Sequence, residues 1–174
     1  MPTFPLVDSA LPLGHLGRSS IDVIALSRSK KKCAEMSPGA GWDYVLARTT
    51  SLVESMQPDL VKFKEITLAV AVAKDKNGCS HKLVALNRYK RPPEEVNLEA
   101  PVLPDEIPVN GLSHAEVNIV RVVQFLSWQL GYIGATRVVC DTCQRYIWTY
   151  FPNAKIITCR KGGPALNDLK VVPH

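Results

Sequence analysis

The stretch LSHAEVNIVRVVQFLSWQLGYIGATRVVCDTC, residues 112–143, carries a histidine and a glutamate two apart at one end and a Cys-x-x-Cys at the other. How it is divided into helix and strand decides the fold. From Glu116 to Leu130 apolar residues fall on nearly every face, which predicts a mostly buried helix with Gly131 and Gly134 as its stop. Thr136–Val139 then reads as a short apolar strand, and Cys140–Phe151 as a further helix closed by Pro152. On that division His114 and Glu116 open one helix, and Cys140 and Cys143 open the next.

Working outward, Trp42, Val45, Leu46, Thr49, Leu52, Val53 and Met56 share one face at helical spacing. Ile66, Leu68, Val70 and Val72 alternate with Thr67, Ala69, Ala71 and Ala73, large against small, as in a strand covered on both faces. Asn77-Gly78 signals a reversal and His81–Asn87 a second strand, so 64–88 is predicted to be a hairpin. The connection 89–112 holds five of the thirteen prolines and reads as a long functional or disordered loop. Lys155–Cys159 is a strand and Leu169–Val172 a candidate last one. The order helix, hairpin, helix, strand, helix, strand predicts an α/β layer with a mixed sheet. Residues 1–40 lack periodicity and are set apart as a lead-in, leaving 41–174 as the domain.

At 174 residues, 46% hydrophobic and 21% charged, the chain has the apolar content for one sizeable core, which excludes a disordered class. The longest apolar run, Leu68–Ala73, is far short of a bilayer span, and Met1–Gly17 lacks the pattern of a secretory signal, so no membrane partner is expected. Five cysteines, two of them in a C-x-x-C, suggest reduced thiols or metal ligands, with Cys79, His81 and Cys159 read as structural. Five carboxylates (Glu94, Glu95, Glu99, Asp105, Glu106) fall in 92–110, which has no Lys or Arg; the rest of the chain is therefore at +10 against a total of +5. A surface of that balance suits a polyanion or is simply a solvated basic face.

Helices that follow parallel strands collect their N-termini at one edge of the sheet, so four residues distant in sequence can converge there. Cysteines three apart on one turn point the same way, and the helix start favours thiolates. One imidazole and two thiolates fill three tetrahedral Zn²⁺ positions and leave a fourth for water, with Glu116 placed to handle its proton. Each half has a plainer reading. Ser113 to Glu116 is also a capping box, and Cys140 with Cys143 also fits a thioredoxin-like redox pair. A zinc-stabilised nucleic-acid-binding module without catalysis is a third alternative. Only a metal site accounts for both halves together.

H-x-E followed by C-x-x-C resembles the signature of the zinc-dependent nucleoside and nucleobase deaminases, the cytidine-deaminase-like superfamily, over roughly residues 42–160. The wording "SHAEVNIV", "IGATRVVCDTCQRYI" and "PNAKIIT" is most similar to the bacterial polymorphic-toxin deaminases. The resemblance implies a three-layer fold, a mixed sheet of four to five strands with helices on both faces. It implies Zn²⁺ held by His114, Cys140 and Cys143, with Glu116 moving the proton in hydrolytic conversion of cytosine to uracil. The implied substrate is nucleic acid, single-stranded DNA foremost, with free nucleosides or adenine in RNA as alternatives. A toxin of this kind is secreted or delivered into the cytoplasm of a target cell and is matched by a cognate immunity protein. Asn87, beside Arg88, falls where many members meet the substrate sugar, and Val139 stands where the family has proline. A polynucleotide also needs a basic groove with stacking groups. Lys82, Arg88, Lys90, Arg91 and Arg145 are candidates for the first; Tyr89, ahead of Trp128, Tyr146 and Trp148, for the second. The acidic 92–110 segment opposes this if it lies over the site and is otherwise an exposed flap.

Overall fold

A computed structural model describes residues 36–56, 66–86, 102–158 and 170–174. The elements are α1 (Pro38–Met56), β1 (Leu68–Lys74), β2 (Ser80–Leu86), β3 (Glu106–Val109), α2 (Ala115–Phe125), β4 (Gln129–Ala135), α3 (Asp141–Tyr150), β5 (Lys155–Thr158) and β6 (Lys170–Val171). Six strands form one mixed sheet in the order β3-β2-β1-β4-β5-β6. β1 is antiparallel to both β2 and β4, while β3 is parallel to β2 and β5 to β4. Hence β2, β3, β4 and β5 run one way and end at a common edge.

The large and small alternation of β1 sorts the layers. Leu68, Val70 and Val72 pack with Val45 and Leu52 of α1 on one face. Ala69, Ala71 and Ala73 form the other face, against Ile119, Val120 and Val123 of α2 and Cys143 and Ile147 of α3. Small residues there let two helices sit close to the sheet, and helices on both faces complete an α/β architecture.

Two divisions differ from the sequence reading. Helix α2 does not reach Leu130, and the strand is Gln129–Ala135, with 136–139 as a turn. The helix ends in a Schellman motif: the Ser127 amide donates to the Gln124 carbonyl (3.0 Å) and the Trp128 amide to that of Val123 (2.9 Å). Ser127 takes the left-handed conformation, φ 54°, that glycine usually fills, so no glycine marks the stop. Gly134 instead lies in β4 beneath α1, where a Cβ would come within 2.5 Å of Thr49 Oγ1 and 3.0 Å of Val45 Cγ1. It is there for close approach of helix to strand.

The long connection hides the second difference, the edge strand β3, in which Pro108 costs no central ladder bond. The Glu106 carboxylate is buried, salt-bridged to Arg48 (2.6 and 3.0 Å), and accepts from Tyr44 Oη and the Leu103 amide (2.5 and 2.7 Å). The end of the acidic segment is thus neutralised against α1.

Ser127→Gly is expected to stabilise the fold by about 0.5–1 kcal/mol, because glycine adopts the left-handed conformation without the Cβ penalty. A urea midpoint that stays put or falls would contradict the strain assigned to this cap. Among the described residues, no helix is long and apolar enough to cross a membrane. Cys79 is disulfide-bonded, with its partner outside the described residues, so the expectation of reduced thiols fails there while Cys140 and Cys143 stay free. An odd total accommodates one bridge once two cysteines are set aside.

Candidate metal centre

Both chain entries to the site start from the common strand edge. After Val109 at the end of β3, residues 110–113 lead into α2. Asn118, one turn into that helix and 3% exposed, reaches back: its Oδ1 accepts from the Ser113 amide (3.2 Å). Its Nδ2 donates to the carbonyls of Ser113 (3.1 Å) and Leu86 (3.4 Å). Gly111 is held so closely that a Cβ there would lie 2.2 Å from Asn118 Oδ1. Arg121 Nη1 donates to Ser113 Oγ (3.0 Å), which fixes the serine hydroxyl on the helix side.

The capping box does not form. His114, not Ser113, is the residue at the helix start, and its side chain makes no capping bond. Glu116 is then the second helical residue rather than the third, and its carboxylate meets its own backbone amide rather than that of Ser113.

The second entry follows β4. The Val139 amide donates to Thr158 Oγ1 (2.8 Å) on β5, and the Val139 carbonyl accepts from Gln144 Nε2 (2.7 Å). A proline at 139 could not make the first bond, so the turn is held by hydrogen bonds where the resembling family uses a ring. Cys140 starts α3, and its Sγ accepts from the Cys143 amide (3.4 Å).

The turns bring three donors together. His114 Nδ1 lies 3.3 Å from Cys143 Sγ and 3.9 Å from Cys140 Sγ, and the three ligand atoms lie within 4.8 Å of one another. Metal–N and metal–S bonds of about 2.0–2.1 and 2.3 Å at a tetrahedral angle place N and S about 3.6 Å apart. The observed pair brackets that value, so His114, Cys140 and Cys143 form a group that can hold a metal ion. Exposure grades from His114, exposed, through Cys140 to buried Cys143, so the group is anchored below and open above.

Glu116 is 3% exposed. Burial pushes its carboxyl above the usual range, partly offset by its own amide and by His114. Burial also pushes the Cys143 thiol up, and Glu116 adds to that shift. Both groups are therefore costly as anions on their own, and a cation between the sulfurs and the imidazole reverses the balance.

Of the other residues singled out by sequence, Asn87, Arg88, Tyr89, Lys90 and Arg91 lie outside the described residues. Lys82 does not serve a groove at this edge: it pairs with Asp105 (2.5 Å), sits over the Tyr44 ring, and lies beside Glu106 at the start of β3. Trp128 is core and stacks on His81, whose Nε2 meets Asp75 Oδ2 at 3.1 Å. Trp148 donates to the Ala154 carbonyl (3.0 Å) and Tyr146 packs edge-on against Tyr150. Arg145 is exposed on α3.

Sequence reasoning passed over Asn118, Gly111, Thr158 and Gln144. Asn118 had a signal, an amide on the apolar face of a buried helix, and Asn110-Gly111 is a turn dipeptide. Thr158 had none, because it meets Val139 only through the pairing of β4 and β5. Asn118→Ala is expected to cost about 1–3 kcal/mol in stability and about 10- to 100-fold in metal affinity. Chelator competition measures the second effect; unchanged affinity would mean the 110–113 loop holds its shape without the amide.

No protein-family model and no curated protein matches the chain by sequence, so the class is argued from its own residues.

Proposed function

We propose that the protein is a zinc-dependent hydrolytic deaminase of the cytidine-deaminase-like superfamily, converting cytosine to uracil in nucleic acid, with single-stranded DNA the favoured substrate. One observation carries this reading. An imidazole nitrogen and two sulfurs from separate helix starts lie at distances that fit one ion, with a buried carboxylate two residues from the histidine. The mixed sheet with helices on both faces supports the reading at the level of an α/β fold, with β3 added to the expected order. The toxin role, with delivery into a target cell and a cognate immunity protein, is supported by the likeness of the motif wording.

His114, Cys140 and Cys143 would hold the zinc, which supplies an activated water near neutral pH. Glu116 would take one proton of that water on a carboxylate oxygen and pass it to the ring nitrogen as oxygen bonds to C4, then carry the second proton from the new hydroxyl to the amine as the C4–N bond breaks and ammonia leaves. Burial raises its carboxyl, which makes it a better proton acceptor than a solvated glutamate. Asn118 and Gly111 keep His114 in place, and Thr158 and Gln144 do the same for Cys140.

The test is incubation of the zinc-loaded protein with single- and double-stranded DNA, RNA and free cytidine, followed by sequencing and ammonia release. C-to-T change in single-stranded DNA is expected. Turnover of free cytidine alone would overturn the nucleic-acid reading. No turnover of any of them at full zinc occupancy would overturn the enzyme.

A further inference from the structure

Leu112 is 85% exposed, far above the next large apolar side chain among the described residues, Val171 at 48%. It stands two residues before His114. Val138, at 41%, stands two residues before Cys140. Isolated exposed leucines are ordinary, and fraying loops expose them freely. Neither explanation suits these two. The loop under Leu112 is pinned by Asn118, Gly111 and the Arg121–Ser113 bond, and the turn under Val138 by Thr158 and Gln144. The same bonds that aim the ligand donors therefore hold an apolar side chain out into solvent on either entry to the centre.

Charge limits what those side chains meet. Arg137 is exposed next to Val138, and Arg145 is exposed on α3, one turn after Asp141. Asp141 is the one carboxylate between them. The other acidic residues described nearby in sequence, Asp105 and Glu106, are spent on Lys82 and on Arg48 at the far part of β3. An apolar pair on an excess of cations fits a strand whose bases have flat apolar faces and whose backbone is anionic. It does not fit an acidic peptide, which lacks the first, or a lipid surface, which needs a broader apolar area.

We infer that Leu112 and Val138 form an apolar rim that takes the faces of bases flanking the reacting one in single-stranded polynucleotide, with Arg137 on the phosphate beside them. This deepens the deaminase reading and rests on it for the identity of the reacting base. The rim separates bases and holds the strand; it takes no part in proton movement.

The probe is a fluorescein-labelled single-stranded DNA 12-mer with one central cytosine, titrated into zinc-loaded protein carrying Glu116→Gln so that no turnover intervenes. Leu112→Ser is expected to raise Kd by roughly 5- to 100-fold. Val138→Ser acts in the same direction. Arg137→Ala should lower the slope of log Kd against log salt by about 0.7, the value for one contact to a single strand. Zinc content and thermal midpoint guard against misfolding, and Leu112→Met, which keeps the apolar bulk, should restore binding. Unchanged Kd and slope in all three variants, or failure of the parent protein to bind the strand, overturns the rim. Binding that responds to the rim with no deamination by the wild type overturns the enzyme reading alone, and deamination indifferent to the rim overturns only the inference.

Discussion

On the proposed function, Glu116→Gln is expected to lower turnover by about 10²- to 10⁴-fold while leaving metal binding intact. The substitution keeps the side-chain volume and an amide oxygen in place of a carboxylate oxygen, but that oxygen cannot carry a proton between water and base. Stability should not suffer. Burial already raises the Glu116 carboxyl, which means that the folded state disfavours the charged form, and glutamine removes the charge. Metal content by elemental analysis and turnover of a cytosine substrate together check this outcome. Retention of activity within tenfold of wild type would show that the carboxyl is only a buried polar group.

Cys143→Ser removes a deeper part of the same device, and its effect is expected to reach the fold. Cys143 is 1% exposed and nearest to His114 Nδ1 at 3.3 Å, so the hydroxyl has no route to another position. Affinity for zinc should fall by more than the roughly 10- to 100-fold that outer-sphere changes cost. The wild type, with metal at about 1,000 times its Kd, gains about 4 kcal/mol. In a chain of this length that is roughly 8–16 °C in thermal midpoint. The variant should show almost none of the zinc-dependent rise. Metal uptake by the wild type should release protons, because the buried thiol is held protonated without an ion. A zinc-dependent midpoint shift preserved in the variant would mean that the metal sits elsewhere.

The donors of the centre were legible in the sequence because their chemistry is carried by residue type and short spacing. H-x-E and C-x-x-C need no knowledge of the sheet. The hairpin was legible for the same local reason, through Asn77-Gly78 between alternating runs, with Gly78 at φ 83°. Misreading set in where long-range packing overrode local pattern. Residues 129–135 continue the apolar pattern of the helix before them, and only the docking of α1 over Gly134 and of β4 between β1 and β5 makes them a strand. β3 was hidden because its proline and its carboxylate argue against a strand, while Arg48 and Tyr44, some sixty positions away, bury that carboxylate. The capping box was a sound local inference defeated by Asn118 and Arg121, which claim Ser113 first.

The two cysteines lie 26 and 29 positions after the histidine, and the whole of β4 lies between. Until that strand is threaded into the middle of the sheet, the donors have no reason to be neighbours, so an ion bound by them would be captured by a nearly finished molecule. Zinc should accordingly slow the rate at which the chain comes apart far more than it hastens assembly. A cell short of the metal would then accumulate folded, empty molecules ready for late loading.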